Sequence, residues 1–260
     1  MPTRFASSLL LLASVTLASC ATQPASDGSY QRFMQLAGDL QKRGDSNSAA
    51  ALYDKATQQP EAQIEAWLKL GETRLASGDA RGAERAYQQA LELRTDSADA
   101  LLGLGTAQLR QGKLERAVSA LTQAAHLSGQ ADAFNRLGIA QILLGHAEAA
   151  QTAFSKSLAL APNDLDTRCN LALAYALGDQ SKLALDNIRA VSESPRAQPR
   201  HQRNELLITV LAGREKDVQS MRLEDIPASE RKKLVTEARR IKAIKDPIIQ
   251  ARELGLIDTH

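Results

Sequence analysis

The sequence predicts an all-α fold, a solenoid of stacked helix-turn-helix repeats closed by C-terminal capping helices. Three observations predict it. Similar residues return with a fixed period: units start near Tyr30, Ile64, Ala98, Ala131 and Leu165, at intervals of 34, 34, 33 and 34 residues. Self-similarity at such a period marks an array in which each unit buries its apolar face against its neighbours. Small and bulky positions within a unit fall at helical spacing. Glycine recurs midway, where a first helix ends and a left-handed residue is needed.

The elements follow in order. The first unit reads Phe33, Leu36-Ala37, Gly44, Ala49, Tyr53 and Ala56. The second is Trp67, Leu70-Gly71, Leu75, Gly78, Ala83, Tyr87 and Ala90, and the third is Leu101, Leu104-Gly105, Leu109, Gly112, Ala117, Leu121 and Ala124. The fourth is Phe134, Leu137-Gly138, Ile142, Gly145, Ala150, Phe154 and Pro162; a weaker fifth is Leu171-Ala172, Tyr175, Ala184 and Ile188. The small residue at position 8 (Gly71, Gly105, Gly138) and Ala at position 20 (Ala49, Ala83, Ala117, Ala150, Ala184) let paired helices approach closely. A bulky residue at position 24 fills the space between pairs.

These five units span 30–197. A degenerate sixth unit, 198–227, aligns Arg203-Asn204 through Gly213 with the Arg168–Gly178 stretch, and its second helix around 215–223 is irregular. Residues 228–260 supply the end helices that a solenoid needs to cover its last open surface. Ser229 is placed to cap a helix carrying Leu234, Val235, Ala238, Ile241 and Ile244 on one face. Asp246-Pro247 starts a short final helix ending near Gly255.

Ahead of the repeats lies a different kind of segment. Residues 1–19 hold Arg4 and the apolar run Leu9–Leu12, a secretory signal too short to span a bilayer. The run Leu17-Ala18-Ser19-Cys20 resembles the lipobox of bacterial lipoproteins, followed by a polar linker to residue 29. That resemblance implies cleavage before Cys20 and acylation of its thiol, and acyl chains make a durable anchor. An ordinary signal peptide with an incidental cysteine is the alternative. In the lipoprotein family, Ala21 at the second mature position favours the outer membrane over inner-membrane retention.

Composition excludes several function classes. Lys and Arg number 32 against 30 Asp and Glu, a balance that calls for neither nucleic acid nor a strongly charged partner. With Cys20 acylated, Cys169 has no second cysteine for an internal disulfide. The aromatics Phe33, Tyr53, Trp67, Tyr87, Phe134, Phe154 and Tyr175 sit on interior repeat positions, and only Tyr30 falls outside that pattern. Gly103-x-Gly105 and Gly112-Lys113 lack the spacing and the Ser or Thr of a phosphate loop. His126, His146, His201 and His260 have no ligand-spaced companions, and no nucleophile–base constellation is present. The chain is expected to be no enzyme, to need no cofactor beyond the covalent lipid and to take no small-molecule substrate.

The repeat pattern is similar to the tetratricopeptide repeat, which implies a right-handed superhelix whose first helices line the concave face. In that family positions 2, 5, 9, 12 and 13 face the groove. Position 9 gives Glu72, Thr106, Ile139, Leu173 and Leu207, and position 5 gives Leu68, Leu102, Asn135, Cys169 and Arg203. The C-terminal half therefore reads as a continuous apolar strip. Such a strip suits an amphipathic helix or extended peptide, with Asn135, Arg168 and Arg203 as rim donors. The expected groove residues are Leu68, Leu102, Asn135, Ile139, Arg168, Leu173, Arg203 and Leu207. Leu109, Ile142 and Leu177 are read either as groove or as packing residues.

A lipobox followed by these repeats resembles the TadD-like lipoproteins of tight-adherence (Flp) pilus assembly. The segments Asn170-Leu-Ala-Leu-Ala-Tyr-Ala-Leu177-Gly and Arg203-Asn204…Leu211-Ala-Gly213 carry the resemblance, although Glu205 replaces the expected Leu. It implies a pilotin on the periplasmic face of the outer membrane that holds a secretin subunit, often by a C-terminal helix. A periplasmic adaptor for a protease or peptidoglycan enzyme, or a subunit of an outer-membrane protein assembly complex, are the alternatives.

Overall fold

The computed structural model describes residues 28–221, Leu223 and 226–255. Cys20, the signal and most of the linker lie outside the described residues. All regular structure among the described residues is helical. Five antiparallel pairs follow one another: α1 Ser29–Lys42 with α2 Ser46–Thr57, α3 Ile64–Ala76 with α4 Ala80–Leu93, and α5 Ala98–Arg110 with α6 Leu114–Ser128. Then come α7 Ala131–Leu143 with α8 Ala147–Leu160, and α9 Leu165–Leu177 with α10 Ser181–Ser192. Each helix packs on the next along the chain. First helices also touch first helices two elements away (α3 with α5, α5 with α7, α7 with α9, α9 with α11), so they line the inner face.

Sterics explain the spacing. A β-carbon at Gly71 would lie 2.7 Å from Tyr87 Cζ, at Gly105 2.5 Å from Leu121 Cγ, and at Gly138 2.5 Å from Phe154 Cε1. Position 8 is therefore the floor on which the bulky position 24 of the same unit rests. Tyr87 also reaches the following unit, where a β-carbon at Gly103 would meet its ring at 2.2 Å. Close packing of this kind leaves no room for one added methyl group. The position-20 alanines and the position-24 side chains Tyr53, Tyr87, Leu121, Phe154 and Ile188 are all buried.

Turns between paired helices use a left-handed residue. Gly44, Gly78, Gly112, Gly145 and Gly213 have φ between 71° and 83°. In the fifth unit that place is taken by Asp179 (φ 57°) rather than by Gly178, whose φ is −92°. Asp45 and Asp79 then cap the next helix, accepting from the Ser48 and Gly82 backbone N–H groups at 3.1 and 2.8 Å.

Polar latches tie one pair to the next. Buried Glu84 accepts from Lys113 Nζ at 2.6 Å and Gln111 Nε2 at 2.8 Å. Burial pushes its carboxyl up, but these donors outweigh burial and hold it below the ordinary range. Asp166 of α9 accepts from Arg200 Nε and Nη2 and lies 2.9 Å from His201 Nε2. His201 Nδ1 accepts the Gln198 backbone N–H at 3.0 Å, so Nε2 carries the proton donated to Asp166.

The sixth unit keeps the period with α11, Pro199–Leu211, but a 3-10 helix at Glu215–Ser220 stands where a second helix is expected. Leu223 and Ile226 turn into the core, and α12 (Ala228–Lys242) packs on α11 with Ala238 and Ile241 buried. Ser229 does not cap α12. Pro227 holds an extended backbone and its carbonyl already accepts the Arg231 N–H at 2.9 Å, so the helix begins ahead of Ser229. Tyr30, read as outside the interior pattern, is buried with Ala56 and Ala66 because α1 starts against the second and third helices.

The last helix takes an unexpected path. α13, Pro247–Gly255, is capped by Asp246, whose Oδ1 accepts from the Ile248 and Ile249 N–H groups at 2.9 and 3.2 Å. It does not extend the stack. It turns back onto α7, so close that a β-carbon on Gly145 would lie 3.1 Å from Pro247 Cβ. Ala251 joins Ile142, Phe154 and Leu171 in one core cluster, while Leu254 joins the C-terminal core.

Candidate peptide-binding groove

The inner face is built by the first helices of each pair, and its side chains divide into three sets. Ile139 and Leu173 are brought together. Both are half-buried and line one half-open apolar cavity of about 660 Å³ with Leu109, Ile142, Leu143 and Asn170, and α13 adds Ala251 and Leu254 to its wall. Gly78 and Ala80, at the second unit's turn, form the far wall.

The second set is apolar but committed to packing. Leu68 packs with Trp67, Leu75 and Tyr87, and Leu102 packs between the third and fourth units. Leu207 and Cys169 are buried in the C-terminal core. The strip expected to run unbroken along the C-terminal half is therefore interrupted, because α11 and α12 close over it. Thr106 is buried as well, and its hydroxyl donates to the Leu102 carbonyl at 2.7 Å.

The third set is the polar rim. Asn135 Oδ1 accepts from Asn170 Nδ2 at 3.3 Å, Arg168 donates to the Pro162 carbonyl at 3.0 Å, and Arg203 pairs with Glu230 of α12 at 2.8 Å. Each rim group thus holds an intramolecular partner. Arg203 is the clearest case, since its partner belongs to the capping helix rather than to a repeat.

Several cavity residues were missed on reading the repeat. Leu143 and Asn170 carry ordinary repeat roles, and Ala251 and Leu254 lie more than a hundred residues from Ile139. Their only signal was apolar spacing, Ile248-x-x-Ala251-x-x-Leu254, after a helix start at Asp246-Pro247.

The cavity's chemistry is that of an apolar receptor. Among the described residues Arg110 is its one titratable lining group, and it donates to the Leu75 carbonyl at 2.5 Å. Such a site takes up aliphatic side chains by desolvation and has no paired acid and base for proton transfer. Among the described residues no group of three His, Cys, Asp or Glu is placed to hold a metal, and no helix is long and apolar enough to cross a membrane.

Two family descriptions match the sequence. The Cilia and flagella-associated protein 70 middle TPR-like domain matches residues 33–145, and the Tetratricopeptide repeat matches residues 131–164. No curated protein matches the chain. Solved structures give the fold. PilF of Pseudomonas aeruginosa is 16% identical, with 89% of this chain and 99% of that one covered and a TM-score of 0.60. A tetratricopeptide repeat protein of Parabacteroides merdae is 17% identical, covering 89% and 94%, with a TM-score of 0.65. YrrB, described as a TPR protein with an unusual peptide-binding site, is 18% identical over 73% and 91%, with a TM-score of 0.53.

Proposed function

We propose that this tetratricopeptide-repeat solenoid is a lipid-anchored periplasmic assembly factor, a pilotin of the tight-adherence pilus class. Its groove holds a helix or peptide of a secretin subunit, and its acylated Cys20 carries that client to the outer membrane. A repeat scaffold of this kind serves protein–protein interaction, and YrrB provides an example with a peptide site. The observation that carries the reading is the apolar cavity at Ile139 and Leu173 on the inner face. Its size and lining suit one or two large apolar side chains of an incoming helix.

Two further features support the pilus assignment. The Leu17-Ala18-Ser19-Cys20 run supplies the lipid address. The Asn170–Gly178 and Arg203–Gly213 stretches carry the resemblance to TadD-like lipoproteins, and the fold likeness to PilF extends over 89% of this chain. The test is photo-crosslinking in living cells from a benzoylphenylalanine placed at Leu109, on the cavity wall. Capture of a secretin subunit is the expected result. Capture of a protease, a peptidoglycan enzyme or an outer-membrane assembly subunit instead would replace the pilotin reading.

A further inference from the structure

The groove is not empty: α13 of the same chain lies in it. Three features of that seating bear on what else fits there. The buried anchors of α13 are small or few, Ala251 at 1% and Leu254 at 4% exposure, while Ile248 and Ile249 remain 37% and 48% exposed. A half-open apolar cleft of about 660 Å³ stays unfilled beside Ala251, lined by Leu109, Ile139, Ile142, Leu143 and Leu173. The polar ties of α13 run to α12: Gln250 Nε2 donates to the Ile241 carbonyl at 3.2 Å, and Glu253 pairs with Arg240. Its hold on α7 is apolar contact.

We propose that α13 is an intramolecular stand-in for the partner. The occupant it yields to is an amphipathic helix of another protein, with large aliphatic residues at the places of Ala251 and Leu254. This rests on the inner-face groove being the partner site, and it names the chemistry of that partner. The underfilled cavity is the reason displacement is favourable. An external helix gains about four-fold in affinity for each methylene it buries beyond what Ala251 reaches. The cost is the tether, since a covalently linked α13 competes at high effective concentration. The non-helical link Ala243–Asp246 lets α13 leave while α12 keeps its cap over the last repeat.

The test uses the full mature chain and two fluorescent peptides spanning residues 243–255, one native and one with A251L. The native peptide is expected to bind the chain weakly and to bind the Leu254→Asp variant at least about ten-fold more tightly. The A251L peptide should bind at least about ten-fold more tightly than the native peptide to either chain. Ile139→Asp should remove both interactions. In the unmodified chain, hydrogen exchange should show α13 amides losing protection and α7 gaining it on addition of the A251L peptide. This reading does not depend on how well Leu254→Asp folds.

Equal affinity of the two peptides, unchanged exchange in α13, or a preference for a fluorescent fatty acid over both would overturn the proposal. So would exchange of α13 between two copies, seen as a dimer by light scattering. No pilus component enters these assays. Failure here leaves the secretin reading standing, and failure to capture a secretin leaves the stand-in reading standing.

Discussion

Gly138 and Gly38 make a matched pair on which the packing argument can be tested. Both lie within first helices, so replacing either with Ala gains helix propensity, about 0.5–1 kcal/mol. Their surroundings differ. A β-carbon at Gly38 meets one atom, Tyr53 Oη, at an ordinary 3.7 Å, whereas at Gly138 it would sit 2.5 Å from Phe154 Cε1 and 2.7 Å from Cδ1. Phe154 is fully buried and cannot step aside, so overpacking costs about 1–3 kcal/mol there. The net expectation is a loss of up to about 2.5 kcal/mol for Gly138→Ala and a gain of up to about 1 kcal/mol for Gly38→Ala. At about 2–4 °C per kcal/mol for a chain of this size, thermal melts followed by circular dichroism should move up to about 10 °C down for the first and up to about 4 °C up for the second. Phe154→Leu should rescue part of the Gly138→Ala loss in a double-mutant cycle. A rise in melting temperature for Gly138→Ala equal to that of Gly38→Ala would refute the account of position 8 as the floor under position 24.

Further expectations follow from single sites. Asp179→Gly relieves the one left-handed non-glycine among the described residues and should stabilise the chain by about 0.5–1 kcal/mol, read as a higher midpoint in urea. Asp166 is pushed up by burial but pulled further down by the hydrogen bonds of His201 and Arg200, ending below its ordinary value of 3.8. Its stabilisation is therefore fully present above that value and lost as pH falls through the lower folded one. Asp166→Asn should lower the melting temperature at neutral pH and flatten its decline between about pH 5 and 2. Arg203→Ala removes an exposed ion pair with Glu230 and should change stability by less than about 1 kcal/mol while leaving partner capture intact.

The repeats were legible because their grammar is local. Gly71, Gly105 and Gly138 stand sixteen residues from the Tyr87, Leu121 and Phe154 that pack on them, within one unit and one turn. Whatever depended on the superhelix's curvature was not legible. The contact of Pro247 with Gly145 spans about a hundred residues, and nothing in either segment alone specifies the other. Ile139 and Leu173, both assigned to first helices by the repeat, line one cavity. Leu207 holds the same repeat position as these two, and Cys169 holds another groove-facing position of the family. They became core because the irregular sixth unit lets Leu223, Ile226 and α12 pack over α11. Ser229 resembled a cap by residue type, yet the proline two places earlier had already fixed the helix start.

The proposed function joins a lipid address to a helix-binding groove, and separating the two tests it most directly. The measurement is membrane fractionation with co-purification of the secretin subunit in cells carrying Cys20→Ala or Ile139→Asp. The account predicts opposite failures. The Cys20→Ala protein keeps its client but leaves the outer-membrane fraction, whereas Ile139→Asp stays in that fraction, keeps its helical circular dichroism and loses the client. Normal secretin assembly in the outer membrane with Cys20→Ala, or undiminished co-purification with Ile139→Asp, would contradict it.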